Sequence, residues 1–398
     1  MEDSIDFLLR DMAEKIQLSP SSHDIAVSRY GTIHEWLTRP GSPLADVVLN
    51  MYPQGSMMIG ATIASRLATD EFDIDLMLEL DLPPAVAPAA VLDAVYAAIR
   101  GERGSRYHDM AHRQTRCVTV HYADMHLDVT PAVRLRGRVE RVSHIFHSKL
   151  EEPRYRDRTI VANPYGFGRW FEAMTPLEAD LREAVAFSKA AEPVPELAPV
   201  SEKSRALVSL QLIKRWRNVL FDGRPGVRRP PSILLAKLVA DTAGTRGGTL
   251  ADELERQVAS MIRLFRQNHW AGRLIEVRNP TCEEDVLTDR WPGSLDVQQA
   301  FLEDLGDLAA RLAKLRKATL QEKREILSGL FGEAATTRTF DSLVAAVEKG
   351  STAGRMGHLP GSGAVRLPAL GAVAAPSPVR ATPAHNFFGG PLRPPAGT

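Results

Sequence analysis

Glu71-Phe72-Asp73-Ile74-Asp75-Leu76-Met77-Leu78 is the stretch from which the fold is inferred. Its apolar side chains alternate with Asp73 and Asp75, which is typical of a half-buried β-strand with both carboxylates on one face. At about 3.3 Å of rise per residue these acids lie roughly 7 Å apart, so they can bracket a pair of cations bound to phosphate oxygens. Taken alone, an acid-x-acid triplet also fits an ordinary solvated strand face.

A third acid follows in Met125-His126-Leu127-Asp128-Val129-Thr130, where polar and apolar residues alternate again. Residues 117–122 have the pattern of a further strand, and the few residues between the two segments are short enough for a hairpin turn. We therefore expect Asp128 to lie beside Asp73 and Asp75 on one shared sheet.

Gly55-Ser56 precedes the acid strand, and the sixteen residues between Ser56 and Asp73 leave room for one short helix and a turn. A serine before an apolar run is an ordinary helix N-cap. The same geometry also makes an anion site, because free backbone N–H groups and the hydroxyl converge where the helix dipole favours negative charge. The order of these segments predicts a phosphate cradle followed by a divalent-metal site, as nucleotidyl transfer requires.

These segments resemble a known family. Gln54-Gly55-Ser56, Phe72-Asp73-Ile74-Asp75-Leu76 and Leu127-Asp128-Val129-Thr130-Pro131 are similar to the catalytic core of the DNA polymerase β-like nucleotidyltransferases. More narrowly, the chain resembles the bacterial CD-NTases, which are cyclic-oligonucleotide synthases related to cyclic GMP-AMP synthase and oligoadenylate synthase. The further landmarks of that group are Asn163-Pro164-Tyr165-Gly166, Gln211-Leu212-Ile213-Lys214-Arg215-Trp216, Pro231-Ser232-Ile233-Leu234-Leu235, Val277-Arg278-Asn279-Pro280 and Trp291. The spacer before Asp73 is slightly longer than is usual in the superfamily, which affects the shape of that loop.

The resemblance implies an α/β (α+β) fold with two lobes and a tail. The expected parts are a mixed-sheet nucleotidyltransferase core with an N-terminal helix at residues 1–162, a helical, oligoadenylate synthase-like lobe at 163–347, and a Gly/Pro/Ala-rich tail at 348–398. The tail is rich in Gly, Pro, Ala and Ser with almost no acidic residues, a composition that predicts disorder.

The resemblance also implies a role for each site residue. Asp73, Asp75 and Asp128 would be catalytic and bind two Mg²⁺ ions, or Mn²⁺ in their place, with Asp128 orienting the acceptor ribose hydroxyl. The residues expected to contact the donor nucleotide are Gln54, Gly55, Ser56, Lys214 and Ser232. Independently, the helical period of residues 201–218 places Lys214 on a polar face, which fits a solvated lysine equally well.

Composition narrows the class of protein. The 398 residues suffice for two domains, and no apolar run approaches the ~20 residues of a membrane span. The acidic N-terminus lacks a signal-peptide pattern, and Cys117 and Cys282 fit neither a disulfide framework nor a zinc site, so we expect a cytoplasmic protein with no membrane partner. With 49 basic and 49 acidic residues the net charge is zero, so long nucleic acid is not an expected partner.

Three functions fit these features. The favoured one is synthesis of a cyclic di- or trinucleotide second messenger from ATP, GTP or both, with release of pyrophosphate, in bacterial antiphage signalling. The alternatives are template-independent nucleotide addition to RNA, tRNA or protein, and a non-enzymatic scaffold on the same fold. The pair Phe387-Phe388 in the tail suggests a docking peptide for a HORMA-type regulator, as tails of the family's members imply.

Overall fold

The molecule has two layers, a mixed β-sheet and a group of helices, and the acid strands belong to the sheet. The computed structural model describes residues 4–64, 72–149, 156–176, 194–243 and 248–352, with the short pairs 357–358 and 365–366. Most of the predicted disordered tail, including Phe387 and Phe388, lies outside these residues. So does the second half of the spacer between Ser56 and Asp73.

The helices are α1 Ser4–Ile16, α2 Pro20–Thr38, α3 Gly55–Met58, α4 Pro88–Arg100, α5 Pro164–Met174, α6 Arg205–Asp222, α7 Ser232–Asp241, α8 Leu250–Trp270, α9 Leu295–Leu315, α10 Leu320–Phe331 and α11 Glu333–Thr352. The strands are β1 Val48–Gln54, β2 Phe72–Leu80, β3 Ala111–Arg113, β4 Val118–His121, β5 Met125–Arg134, β6 Ser143–His147, β7 Arg158–Ala162, β8 Arg278–Asn279, β9 Cys282–Val286, β10 Gly357–His358 and β11 Val365–Arg366.

A seven-stranded sheet carries the predicted acids. Its order is β1-β2-β5-β4-β3, and β6 continues from β5 to β7. Strands β2 and β5 pair in parallel, whereas the other neighbours are antiparallel, so the predicted mixed sheet is confirmed. The expected hairpin is also present, since Tyr122 N donates to Met125 O at the turn between β4 and β5.

The alternation in β2 is explained by what covers the sheet. Phe72, Ile74 and Leu76 are at most 2% exposed and belong to a hydrophobic cluster that includes residues of α2 and α4. The opposite face at the start of β2 carries Asp73 and Asp75. One face of the strand therefore anchors it in the core and the other presents the acids.

The second core lies among the helices, with α6 at its centre. Every residue of α6 from Ala206 to Asn218 is buried. Helix α11 continues to Thr352, beyond the expected lobe boundary at 347. Within the described ranges, no helix combines the length and apolar character that a membrane span needs.

Helix α1 packs with the helical lobe, which differs from the sequence-based division at residue 162. Its apolar face, represented by Leu9 and Met12 at 0% exposure, belongs to the same hydrophobic cluster as α6 and α8. The Asp6 carboxylate accepts hydrogen bonds from the backbone N–H groups of Leu250 (2.8 Å) and Ala251 (3.0 Å) at the start of α8. The reason is physical: an amphipathic helix needs an apolar partner, and the sequence does not say where along the chain that partner lies.

Candidate active site

The two acid strands lie side by side in the sheet. Asp75 on β2 is directly opposite Asp128 on β5, and Asp73 is opposite His126. Neighbouring strands are about 4.8 Å apart, and side chains two residues apart share a face. The structure therefore brings Asp73, Asp75 and Asp128 together on one face.

Negative charge accumulates where these acids meet. Burial, followed by the charges of Asp128 and Asp73, raises the pKa of Asp75 to about 7. Burial also raises the pKa of Asp128, and a hydrogen bond donated by the Thr119 hydroxyl to Asp128 Oδ1 opposes that shift. The site thus holds acids that a divalent cation would stabilise in their ionised form.

The arrangement of the acids bears on what kind of cation they fit. Among the residues that the structure describes, no three His, Cys, Asp or Glu side chains form a ready-made cage for one ion. Mg²⁺ in nucleotide sites usually takes one or two carboxylates and completes its shell with water and substrate phosphates. The acids therefore fit cations that bind together with a polyphosphate.

Gly55 forms the turn that leads from β1 toward these acids. Its φ of +59° is in the left-handed region, and a Cβ there would lie 2.9 Å from Asp75 Oδ2. Only glycine therefore allows both the turn and the close approach of the carboxylate. Helix α3 is a single turn, so the dipole expected from the sequence contributes little, and positive charge must come from another element.

Lys214 provides that charge from the helical lobe. Its Nζ donates to Ser56 Oγ and to the Ala61 carbonyl, both at 2.7 Å. Burial, and then the charge of Arg217, lowers the pKa of Lys214 to about 7, while Asp75 acts in the opposite direction. A solvated lysine is therefore the wrong interpretation: Lys214 is 4% exposed, because the polar face of α6 is turned toward the cleft.

Ser232 and Arg217 meet beside Lys214. The Arg217 guanidinium donates to Ser232 Oγ at 3.0 Å and to the Pro230 carbonyl at 2.8 Å. Burial, and then the neighbouring Arg229, lowers the pKa of Arg217 to about 9. Arg217 was missed by the sequence analysis, although its i, i+3 spacing from Lys214 is a signal that both side chains share one helix face.

A cavity of about 230 Å³ lies between the lobes and collects these groups. Its polar lining residues are Ser56, Thr62, Asp73, Asp75, Lys214, Arg217, Asn218, Arg229 and Ser232. Two predicted residues lie outside the lining: Asp128 is on the next strand, and Gln54 donates from Nε2 to Thr130 Oγ1 at 3.3 Å. The cavity therefore has a cationic wall from the helical lobe and an acidic wall from the sheet.

Comparisons with known proteins agree with this geometry. The family model for the Second Messenger Oligonucleotide or Dinucleotide Synthetase domain matches residues 4–149. The cyclic dinucleotide synthase CdnG of Bradyrhizobium diazoefficiens is 36% identical over 97% of this chain and 95% of its own length. A c-di-GMP synthase of Roseivirga ehrenbergii is 26% identical over 81% of this chain and 83% of its own.

Solved structures show the same fold. The Bradyrhizobium diazoefficiens CD-NTase CdnG in complex with GTP superposes with a TM-score of 0.72, covering 86% of this chain and 100% of that one at 36% identity. The Escherichia coli CdnC:HORMA-deltaN complex gives a TM-score of 0.57 over 82% of this chain and 96% of that one. Because CdnC is 15% identical, that likeness concerns the fold alone.

Proposed function

The chain belongs to the CD-NTase family of cyclic-oligonucleotide synthases, and from that premise we propose that it joins two nucleoside triphosphates into a cyclic dinucleotide. It is a nucleotidyltransferase, in agreement with the names of its relatives. The observation that carries the proposal is the cleft in which buried Lys214 and Arg217 face Asp73 and Asp75. One wall suits a polyphosphate and the other suits the cations that accompany it.

The donor nucleotide binds with its triphosphate against the cationic wall. Lys214 exchanges its contact with the Ser56 hydroxyl for phosphate oxygens, and the Arg217 guanidinium adds a second fixed charge. GTP is the proposed donor, because one relative is a c-di-GMP synthase and CdnG is described in complex with GTP. Burial strengthens these contacts, since a charge–phosphate hydrogen bond is stronger away from bulk water.

Transfer then takes place at the α-phosphorus of the donor. The acceptor ribose oxygen forms a bond to that phosphorus, the bond to the β-phosphate oxygen breaks, and pyrophosphate leaves. Asp128 receives the hydroxyl proton, and the hydrogen bond that its Oδ1 accepts from Thr119 helps to hold the carboxylate in place. A second transfer within the linear dinucleotide closes the ring and releases a second pyrophosphate.

Asp73, Asp75 and Asp128 would hold two Mg²⁺ ions, or Mn²⁺ in their place. Bound there, the cations would neutralise charge on the triphosphate and hold the attacking and departing oxygens in line. The raised pKa of Asp75 supports this assignment, because like-charged acids placed this close are best accommodated by a cation between them.

The alternative of nucleotide addition to RNA, tRNA or protein is tested by the product. We expect the enzyme, given four α-³²P-labelled triphosphates and Mg²⁺, to convert label into a small product that phosphatase leaves intact, with the mass of a cyclic dinucleotide. Label in a polymer or in the protein itself would support the alternative. If the only product were linear and phosphatase-sensitive, ring closure would be contradicted.

The proposal extends to the role of the product, the location of the enzyme and its regulation. The product would serve as a messenger in antiphage signalling, as expected for the family. The free thiols Cys117 and Cys282 suit a cytoplasmic location. A HORMA-type regulator would dock through the tail, most of which lies outside the described residues. Unchanged regulator binding after deletion of residues 380–398 would exclude that route.

A further inference from the structure

The chain after the Gly55-Ser56 turn is held by the helical lobe. Residues 60–64, which we call the linking segment, follow α3. The Ala61 N–H donates to the Ser56 carbonyl at 2.9 Å, so the linking segment and the turn are joined. Lys214 contacts both at once, because its ammonium donates to the Ser56 hydroxyl and to the Ala61 carbonyl. The position of the linking segment therefore helps to determine where this ammonium lies.

Two other side chains from the helical lobe donate to the carbonyl groups on either side of Ala61. Lys203 Nζ donates to the Gly60 carbonyl at 3.0 Å. Gln211 Nε2 donates to the Thr62 carbonyl at 3.2 Å. Three consecutive carbonyls of the linking segment thus accept hydrogen bonds from the helical lobe. Since the acceptors are backbone atoms, these bonds do not depend on the side chains of the linking segment.

The end of α1 holds the remainder of the linking segment. The Ala64 N–H donates to the Ile16 carbonyl at 2.9 Å, and Gln17 forms an antiparallel bridge with Ile63. The Gln17 side chain also accepts from Lys203 Nζ, which connects the two sets of contacts. Because α1 packs in the helical lobe, each residue of the linking segment has a partner there.

Burial distinguishes Lys203 and Gln211 from ordinary surface side chains. Lys203 is 1% exposed, and Gln211 is fully buried. Burial lowers the pKa of Lys203 to about 8, and both of the acceptors named above are neutral. An ammonium buried against neutral acceptors is unfavourable for folding, so stability alone does not account for this lysine. What the lysine adds here is a strong hydrogen-bond donor for the linking segment.

Lys203 and Gln211 do not line the donor cavity, whereas Lys214 does. In the proposed function, on which this inference rests, Lys214 exchanges its contact with Ser56 for phosphate oxygens. A bound nucleotide would leave the contacts of Lys203 and Gln211 with the linking segment in place. We propose that Lys203 and Gln211 are positioning residues, which hold the linking segment and thereby direct the Lys214 ammonium at the donor's triphosphate.

A double-mutant cycle with Lys214 tests this proposal. The readout is the affinity of the full chain for a GTP analogue with a methylene bridge between its α- and β-phosphorus atoms, measured by calorimetric titration with Mg²⁺ present. We expect Lys203→Met to lower this affinity about tenfold on its own and less than about threefold when Lys214→Met is already present. The reason is that a residue acting through Lys214 loses its effect once that ammonium is gone. Equal losses in both backgrounds would indicate a purely structural role and overturn the proposal, as would no loss in either.

Gln211→Met provides the same test if Lys203→Met does not fold. Gln211 Oε1 has no hydrogen-bond partner among the residues that the structure describes, so this substitution removes only the bond to the Thr62 carbonyl. We expect a loss of affinity of about threefold on its own and no measurable loss beside Lys214→Met. Unchanged affinity of Gln211→Met, or equal losses in both backgrounds, would overturn the proposal.

The matched control is Lys15→Met. Lys15 pairs with Asp11 on α1 at 3.5 Å and does not line the donor cavity. We expect the affinity of this variant to stay within about twofold of its parent in both backgrounds. Wild-type protein that does not bind the analogue would instead overturn the proposed function on which the proposal rests.

Discussion

Lys214 Nζ lies 2.7 Å from Ser56 Oγ, so a buried ammonium from the centre of the helical lobe touches the turn that leads to the acids. The two residues belong to different lobes, and both line the donor cavity. In the proposed function, the same ammonium contacts the donor's phosphates. Removal of this ammonium should therefore weaken donor binding.

Lys214→Met removes the charge and retains an unbranched apolar side chain. We expect the affinity for a non-hydrolysable GTP analogue to fall roughly 10- to 100-fold, because a charge-assisted hydrogen bond contributes about 1.5–3 kcal/mol. Calorimetric titration measures the effect. Lys237→Met is the control, since Lys237 pairs with Asp241 at the C-terminal end of α7 and does not line the donor cavity. Equal affinities of Lys214→Met and wild type would contradict the role of Lys214.

Gly55→Ala tests the close approach of Asp75 to the turn. The substitution at φ +59° destabilises the fold by about 1–2 kcal/mol, and its Cβ meets Asp75 Oδ2 at 2.9 Å. Gly60→Ala is a precise control, since Gly60 has φ +65° and its Cβ would lie 3.9 Å from Leu207. Melting temperatures should fall similarly in both variants, while only Gly55→Ala should lose product formation. Full activity of Gly55→Ala would show that the contact with Asp75 is unimportant.

Asp75→Asn tests the electrostatics of the acids through stability. Because folding raises the pKa of Asp75 from 3.8 to about 7, the folded state binds more protons between these values. The contribution of Asp75 to the free energy of unfolding is therefore fully present below pH 3.8 and is lost as the pH rises through about 7. The free energy of unfolding changes by at most about 1.4 kcal/mol per pH unit in this range.

In metal-free buffer between pH 5 and 8, the wild-type melting temperature should therefore fall more steeply than that of Asp75→Asn. Added Mg²⁺ and GTP analogue should raise the melting temperature of the wild type and have less effect on the variant. Parallel pH curves for the two proteins would contradict the proximity of the three acids.

Asp6→Ala tests the place of α1 in the helical lobe. Two backbone N–H groups at the start of α8 lose their acceptor, so we expect a loss of about 1–2 kcal/mol in the free energy of unfolding. Asp6→Asn retains one oxygen and should lose less. Denaturant unfolding measures both. An unchanged midpoint for Asp6→Ala would show that the contact contributes nothing.

The sequence predicted the shared face of the three acids correctly, because the pattern that indicates it is local. Alternation along β2 and β5 determines which face Asp73, Asp75 and Asp128 occupy, and the hairpin before β5 follows from a short turn. The acids then lie side by side once β2 and β5 pair with each other. This part of the site could be inferred without knowing any other contact.

The cationic groups could not be inferred in the same way. Lys214 and Arg217 have the spacing of an exposed helix face, and only the tertiary packing that buries α6 turns them into the wall of a cavity. Arg290 carries no local signal, because the segment before α9 meets His147 of β6 only in the folded chain. The position of α1 has the same long-range origin.

The most direct test of the central claim is the ratio of pyrophosphate released to phosphatase-resistant product formed from GTP and Mg²⁺. Two transfers between the walls of one cleft predict two pyrophosphates per product of cyclic dinucleotide mass, and none from Asp75→Asn. One pyrophosphate per product, a ladder of linear chains, or wild-type turnover in Asp75→Asn would contradict the account.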